Sequence, residues 1–282
     1  MFYNIDNMKP YDLLVIKGGI YDQVLDQVKE LVLTKQQNDT LYVAIETLGG
    51  APEVGYRIMR LLNAKYKKIY MTIPNKAMST GTLMALGSDK IYMFHSSSLG
   101  PLDLQIEHPS DGSWISTLDV RDTMNTIIST SVIISQRFYD QNYNKFGLSK
   151  TGAAKLANEE GSKIVQPIVD KIDPYHLHKS FRSAEVGAKY GATLLSTRMM
   201  KSDTRLAEMV SSHLANNYET HNYAITLEEA QFPLRLAVDD LNDLAEWQQI
   251  QPIYDGIQDG VQYECIAQAE SPAEADAKGG KK

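Results

Sequence analysis

The chain predicts an α/β fold, with a parallel sheet built first and a helical extension built after it. Three observations carry that prediction. Apolar runs at residues 41–45, 69–73 and 91–94 are rich in Ile, Val and Tyr and too short for helices, which marks buried parallel strands. Between the first two, Val54, Ile58, Leu61 and Leu62 fall at i, i+4, i+7 and i+8 and give a helix one apolar face. Beyond residue 118, helical patterns succeed one another almost without interruption.

In chain order, residues 13–16 read as a strand. Val24, Leu25, Val28, Leu31 and Val32 then give a helix that ends before Gln36. The strand at 41–45 leads into the turn Leu48-Gly49-Gly50 and a helix over 51–63, where Pro52 suits the first turn. Strand, turn, helix and strand form a right-handed crossover unit, and sites in such sheets lie where strands end and helices begin. A second such junction follows at Lys76-Ala77-Met78-Ser79-Thr80-Gly81, with a helix pattern from Thr80 through Thr82, Leu83 and Leu86.

Residues 104–114 carry the loop signals His108-Pro109 and Asp111-Gly112-Ser113. A long helix is expected over 118–146, faced by Met124, Ile127, Ile128, Ile134 and Phe138, and Gly147, Gly152 and Gly161 mark joints. Further helices are expected over 153–158, 164–172, 174–197 and 203–217. Thr226 and Glu229 form a capping box at 225–230. A strand at 234–238, a last helix at 239–247 and a disordered tail over 268–282 close the reading. The expected domains are a core carrying the nucleophile (1–117), a helical extension with closing core elements (118–240), a C-terminal helical segment (241–267) and the tail (268–282).

The two junctions hold the chemistry. Without side chains, the Gly49-Gly50 turn lets a backbone N–H approach a ligand closely. A serine among small residues at a helix N-terminus places its hydroxyl where the dipole and the N–H of Thr80 favour negative charge. That layout suits acyl transfer, with Ser79 attacking a carbonyl while N–H groups of Gly50 and Thr80 hold the oxyanion. The same residues also fit a plain helix cap and a plain turn, so spacing alone leaves both readings open.

The bounds are those of a soluble globular protein. There are 282 residues, 43% hydrophobic, with net charge −7, a pI near 5.4 and a mean hydropathy of −0.31. No basic run points to nucleic acid or an anionic membrane surface. The opening MFYNIDNMKPYD lacks a basic region followed by an apolar one, so no signal peptide is expected. Nothing approaches the length of a transmembrane span. One cysteine, Cys265, excludes an internal disulfide and a multi-cysteine metal site and suits a reducing compartment. A cytoplasmic location and no metal or cofactor are therefore expected.

Together these residues resemble the Clp protease/crotonase superfamily, and within it the serine dehydrogenase proteinase family, relatives of signal peptide peptidase A. The resemblance rests on Leu48-Gly49-Gly50, on Ala77-Met78-Ser79-Thr80-Gly81-Thr82, on Ser88-Asp89-Lys90-Ile91-Tyr92-Met93 and on Ser97-Ser98-Leu99-Gly100-Pro101-Leu102-Asp103. It extends to Asp173-Pro174 with Arg182 and Tyr190, and to His221-Asn222-Tyr223-Ala224-Ile225-Thr226 followed by Glu229-Ala230. It covers roughly residues 10–240. It implies a spiral of ββα units, a serine peptidase acting on peptide or protein substrates through Ser79, an oxyanion hole from Gly49, Gly50 and Thr80, and a homo-oligomer. Three positions depart from the family pattern: Thr80 stands where Ala or Gly is usual, Leu104 where Pro is usual, and Phe232-Pro233-Leu234 replaces Leu-Gly-Leu.

The base is the open question. Signal peptide peptidase relatives use lysine, but no lysine occurs between Lys90 and Lys145, and Arg121, near the corresponding place, stays protonated. Histidine is the expected base. Of the six, His221 comes first, with Glu219 or Asp103 to orient it. His95, at the end of a core strand, comes second. His176 and His178 lie on opposite faces of a helix start and cannot pair on a metal, and His108 and His213 read as solvent-facing. Asp103 also fits a turn residue that bonds its own backbone. The alternative function is a catalytically inactive scaffold or binding subunit in which Ser79 is only a helix cap. An acyl-CoA enzyme of crotonase type fits less well, since it needs no serine there.

Overall fold

The computed structural model describes residues 9–103, 105–107, 112 and 114–266. The expected tail and His108 lie outside that set, as does Leu104. The chain divides into two compact units, one formed by residues 1–103 and 186–282, the other by 104–185.

The first unit opens with β1 (Tyr11–Lys17), α1 (Asp22–Lys35), β2 (Thr40–Glu46), α2 (Pro52–Lys65), β3 (Lys68–Ile73), β4 (Lys76–Ala77), α3 (Thr80–Leu86), β5 (Lys90–Met93) and β6 (Ser98–Leu99). The second holds β7 (Gln105–Glu107), β8 (Trp114–Ser116), α4 (Thr117–Asp140), a π-helical turn at Gln141–Lys145, and α5 (Lys150–Val169). Helix α6 (Pro174–Thr197) re-enters the first unit from Val186. That unit then adds α7 (Thr204–Asn216), α8 (Leu227–Gln231), β9 (Val238–Asp240), α9 (Trp247–Asp255) and β10 (Gly260–Ile266).

Its main sheet has the order β10-β1-β2-β3-β5-β9, with every pair parallel except β10 on β1. The fold is α/β with a parallel-dominated sheet and a helical part, as the apolar runs require. One face buries Leu14, Ile16, Val43, Ile45, Met71 and Ile91 under α1 and α2, through Leu25, Val28, Val54, Ile58 and Leu62. The other buries Leu13, Val15, Tyr42 and Ala44 under Leu241, Trp247, Ile250 and Tyr254. A side chain fully withdrawn from water, such as Ile58 or Ile250, contributes about 2 kcal/mol.

Several elements differ from the sequence reading. The expected loop at 104–114 carries two short strands paired antiparallel, Gln105 opposite Ser116. The two helices expected over 153–158 and 164–172 are one, and its buried Ala153, Ala157 and Gly161 lie against α4, where a side chain on Gly161 would meet Ser135. The expected last helix at 239–247 is instead β9 followed by a 3-10 turn, and the helix begins at Trp247. Its apolar residues follow the sheet surface rather than one helical stripe. Residues 260–266, inside the expected C-terminal helical segment (241–267), form strand β10 instead. Its Cys265 pairs in register with Asp12, and partial burial pushes that thiol up to about 11.

Asp12 shows why β10 closes this edge. Its carboxylate is fully buried and accepts from Tyr66 Oη at 3.1 Å, Tyr263 Oη at 2.5 Å, Asn38 Nδ2 at 2.7 Å and the N–H groups of Gln37 and Asn38. Replacing Asp12 by alanine strands these donors and is expected to cost about 3–5 kcal/mol. Urea unfolding measures it, and a loss below about 1 kcal/mol would contradict the anchoring role.

Candidate active site

The two junctions are stitched together by Thr47. Its N–H donates to the Lys76 carbonyl and its own carbonyl accepts from the Met78 N–H, both at 3.0 Å, which lays the strand end beside β4. Thr47 Oγ1 accepts from the Gly49 N–H at 2.9 Å. Gly49 (φ 120°) and Gly50 (φ 152°) both sit where side chains are strained. A Cβ on Gly49 would lie 3.1 Å from Ser79 Cβ, and one on Gly50 would lie 2.2 Å from the Ile20 carbonyl oxygen. The glycine turn therefore packs against the serine.

Ser79 has φ 48° and ψ −108°, an uncommon region for a residue with a side chain. It precedes α3, yet its hydroxyl makes no capping hydrogen bond to that helix. This observation bears directly on the helix-cap reading, because a cap is defined by that bond. Thr80 turns its hydroxyl onto the Gly50 carbonyl at 2.8 Å. The space for its methyl comes from Gly55, where a Cβ would lie 2.5 Å from Thr80 Cγ2.

The segment after β5 reaches the same place. Strand β6 pairs with β4, the Gly100 N–H donates to Thr82 Oγ1 at 2.9 Å, and a Cβ on Gly100 would press on Met78. Leu99 exchanges two backbone hydrogen bonds with Ile225, at 3.0 and 2.9 Å. Asp103, four residues beyond Leu99, and His221, four residues before Ile225, are thereby brought together, with His221 Nδ1 3.0 Å from Asp103 Oδ1. The carboxylate is fully buried and the imidazole is 17% exposed. A carboxylate on Nδ1 fixes the tautomer that leaves Nε2 as the basic nitrogen.

His95 stands apart from this pair. It is exposed, with Nδ1 2.5 Å from Glu228 Oε1 and Nε2 3.4 Å from Asp240 Oδ2. The hydrogen bond to Glu228 raises its pKa. Any stability this pair contributes is present below the ordinary histidine pKa of about 6.5 and lost as pH rises through the raised value. His178 is exposed, while His213 is half-buried with its ring edge-on to Tyr218 at 5.5 Å, where the sequence suggested solvent. Lys90 pairs with Asp239. Among the described residues no cluster of His, Cys, Asp and Glu is arranged to hold a metal.

Thr47 and Gly55 were not singled out from the sequence. Their signals are slight: a threonine directly before Leu-Gly-Gly, and a glycine inside an otherwise well-formed helix.

The parallel sheet thus delivers a strained serine to a strand-to-helix corner against a glycine turn. Residues 21–146 match the family described as ClpP-like SDH-type serine proteinase, so the resemblance seen in the motifs is borne out over that stretch. An uncharacterised protein of Methanocaldococcus jannaschii is 31% identical over 81 residues, which are 29% of this chain and 28% of that protein, so the match spans little more than a quarter of this relative. Among solved structures, a mutant of the 1510-N membrane-bound stomatin-specific protease in complex with a substrate peptide aligns over 95% of this chain and 94% of its own, at 15% identity and a TM-score of 0.49. A ClpP1 mutant from Listeria monocytogenes aligns over 51% of this chain and 77% of its own, at 17% identity and a TM-score of 0.28. Among the described residues no helix is long and apolar enough to cross a membrane.

Proposed function

We propose that the chain is a serine peptidase that cleaves peptide bonds through an acyl-enzyme on Ser79. The observation that carries this reading is the buried Asp103 carboxylate on His221 Nδ1. A helix cap needs no such pair, whereas a serine nucleophile needs a base held in one tautomer.

In this mechanism His221 Nε2 takes the Ser79 proton as Oγ attacks the scissile carbonyl. The carbonyl oxygen becomes anionic and accepts hydrogen bonds from the N–H groups of Gly50 and Thr80. Gly49 contributes conformation rather than a donor, since its N–H is taken by Thr47. Collapse of the intermediate breaks the C–N bond, and His221 returns the proton to the leaving amine. Water then attacks the ester with the same imidazole as base, which releases the acid and restores Ser79. Asp103 stays ionised and orients the ring. His95, held in its own carboxylate pair, takes no part.

The substrate class follows from the protease family description, and assembly into a homo-oligomer is part of the proposal. The direct test is incubation of the purified chain with a mixed peptide library and identification of new termini by mass spectrometry. Cleavage is expected. Its absence from a folded, oligomer-competent sample at neutral pH would favour the inactive scaffold.

Gly50→Ala probes the oxyanion donor. Its Cβ would strike the Ile20 carbonyl, forcing the turn to shift, and turnover is expected to fall about 10²- to 10³-fold. Steady-state kinetics on a peptide found in the library test measures this, and a fall below tenfold would remove Gly50 from the oxyanion site.

A further inference from the structure

We propose that Glu229 is a positioning residue, whose carboxylate acts through Tyr218 to fix the turn that presents His221. This rests on the assignment of His221 as base.

His221 and Asn222 are the central residues of a turn closed by the Tyr223 N–H on the Thr220 carbonyl at 3.1 Å. Tyr218 and Tyr223 flank it, and their rings meet across its base with centroids 4.8 Å apart. Tyr218 Oη donates to Glu229 Oε1 at 2.9 Å, and the ring that carries this hydroxyl is the one that meets Tyr223. The carboxylate thus holds one flank of the turn directly and the other through the ring contact.

Glu229 is itself held. Its N–H donates to Thr226 Oγ1 at 3.4 Å, which places the carboxylate in the first turn of α8, and Ile225 just before is tied to Leu99. On the other side the Tyr218 ring meets His213 of α7. The loop is therefore anchored at its ends by α7 and β6, and across its middle by Glu229. Tyr218 has its pKa raised by burial and then by Glu229, so its phenol remains a donor at neutral pH.

A base moved by about 1 Å from its nucleophile loses up to about 10²-fold in rate without losing substrate affinity. The test measures phosphonylation of Ser79 by a fluorophosphonate in the full chain, separating the limiting rate from the half-saturating probe concentration. Glu229→Ala is expected to lower the limiting rate about 10- to 100-fold with the half-saturating concentration unchanged. Combined with His221→Ala, it is expected to add nothing further, because residues acting as a unit are not additive. Tyr218→Phe keeps the ring and removes only the hydroxyl that reaches Glu229; it serves if Glu229→Ala fails to fold, and a smaller loss of the same kind is expected.

An unchanged limiting rate in these variants overturns the proposal. So does an equal loss on the His221→Ala background, which would mark a general effect on the fold. If His221→Ala alone leaves the limiting rate unchanged, the base assignment fails and the proposal falls with it, an outcome that the single mutant distinguishes from failure of Glu229 alone.

Discussion

Ser79→Ala is expected to lower peptide hydrolysis by about 10⁶-fold while leaving the fold intact. The magnitude is that of removing a nucleophile whose triad works as a unit. The intact fold follows from the site itself. Ser79 makes no capping bond to α3, and alanine meets the same backbone strain at φ 48° as serine does. Its unfolding midpoint is therefore expected to match the wild type. Kinetics on a peptide from the library test, alongside urea unfolding, checks both halves. A loss below tenfold would mean that another group carries the reaction.

His221→Ala is expected to lower the same rate by about 10⁴-fold or more, and His95→Ala to leave it near the wild-type value. The contrast follows from the surroundings of each ring. His221 lies 3.0 Å from a fully buried carboxylate four residues beyond β6, the strand that pairs with β4. His95 is exposed between Glu228 and Asp240, and the hydrogen bond to Glu228 that raises its pKa ties it to carboxylates of α8 and β9. An exposed pair of this kind also contributes little to stability. Parallel kinetics on the two variants decides the matter: a rate that survives His221→Ala and collapses with His95→Ala reverses the assignment.

Much of the first unit was legible because its signals are local. Val54, Ile58 and Leu62 specify a helix wherever they stand, and runs such as residues 41–45 can only be buried strands in this context. Ser79 and the glycine turn were visible for the same reason, since tight corners demand small residues. The pairing of His221 with Asp103 was different: the two are 118 positions apart, and no period or spacing connects them. They meet because Leu99, in the two-residue strand β6, pairs with Ile225 in an isolated bridge too short to leave a pattern in the sequence. The sequence offers Glu219 and Asp103 equally as carboxylates for His221, and the contact observed is with Asp103.

The failures have physical causes as well. Strand β10 alternates Val261, Tyr263 and Cys265 toward the core, but Gln262 and Glu264 stand between them on this edge strand, and they interrupt the apolar run that marks the inner strands. The segment at 239–247 has helical-looking apolar spacing, yet Leu241, Leu244 and Trp247 reach the sheet through a 3-10 turn and irregular chain. Residues 105–107 and 114–116 are too short to announce themselves, and the turn signals between them dominated.

The most direct measurement is intact-mass analysis and peptide mapping after exposure of the folded chain to a fluorophosphonate at neutral pH. The account predicts a single adduct, located on Ser79 and absent from Ser79→Ala. No adduct, or one that maps to another residue, would contradict it.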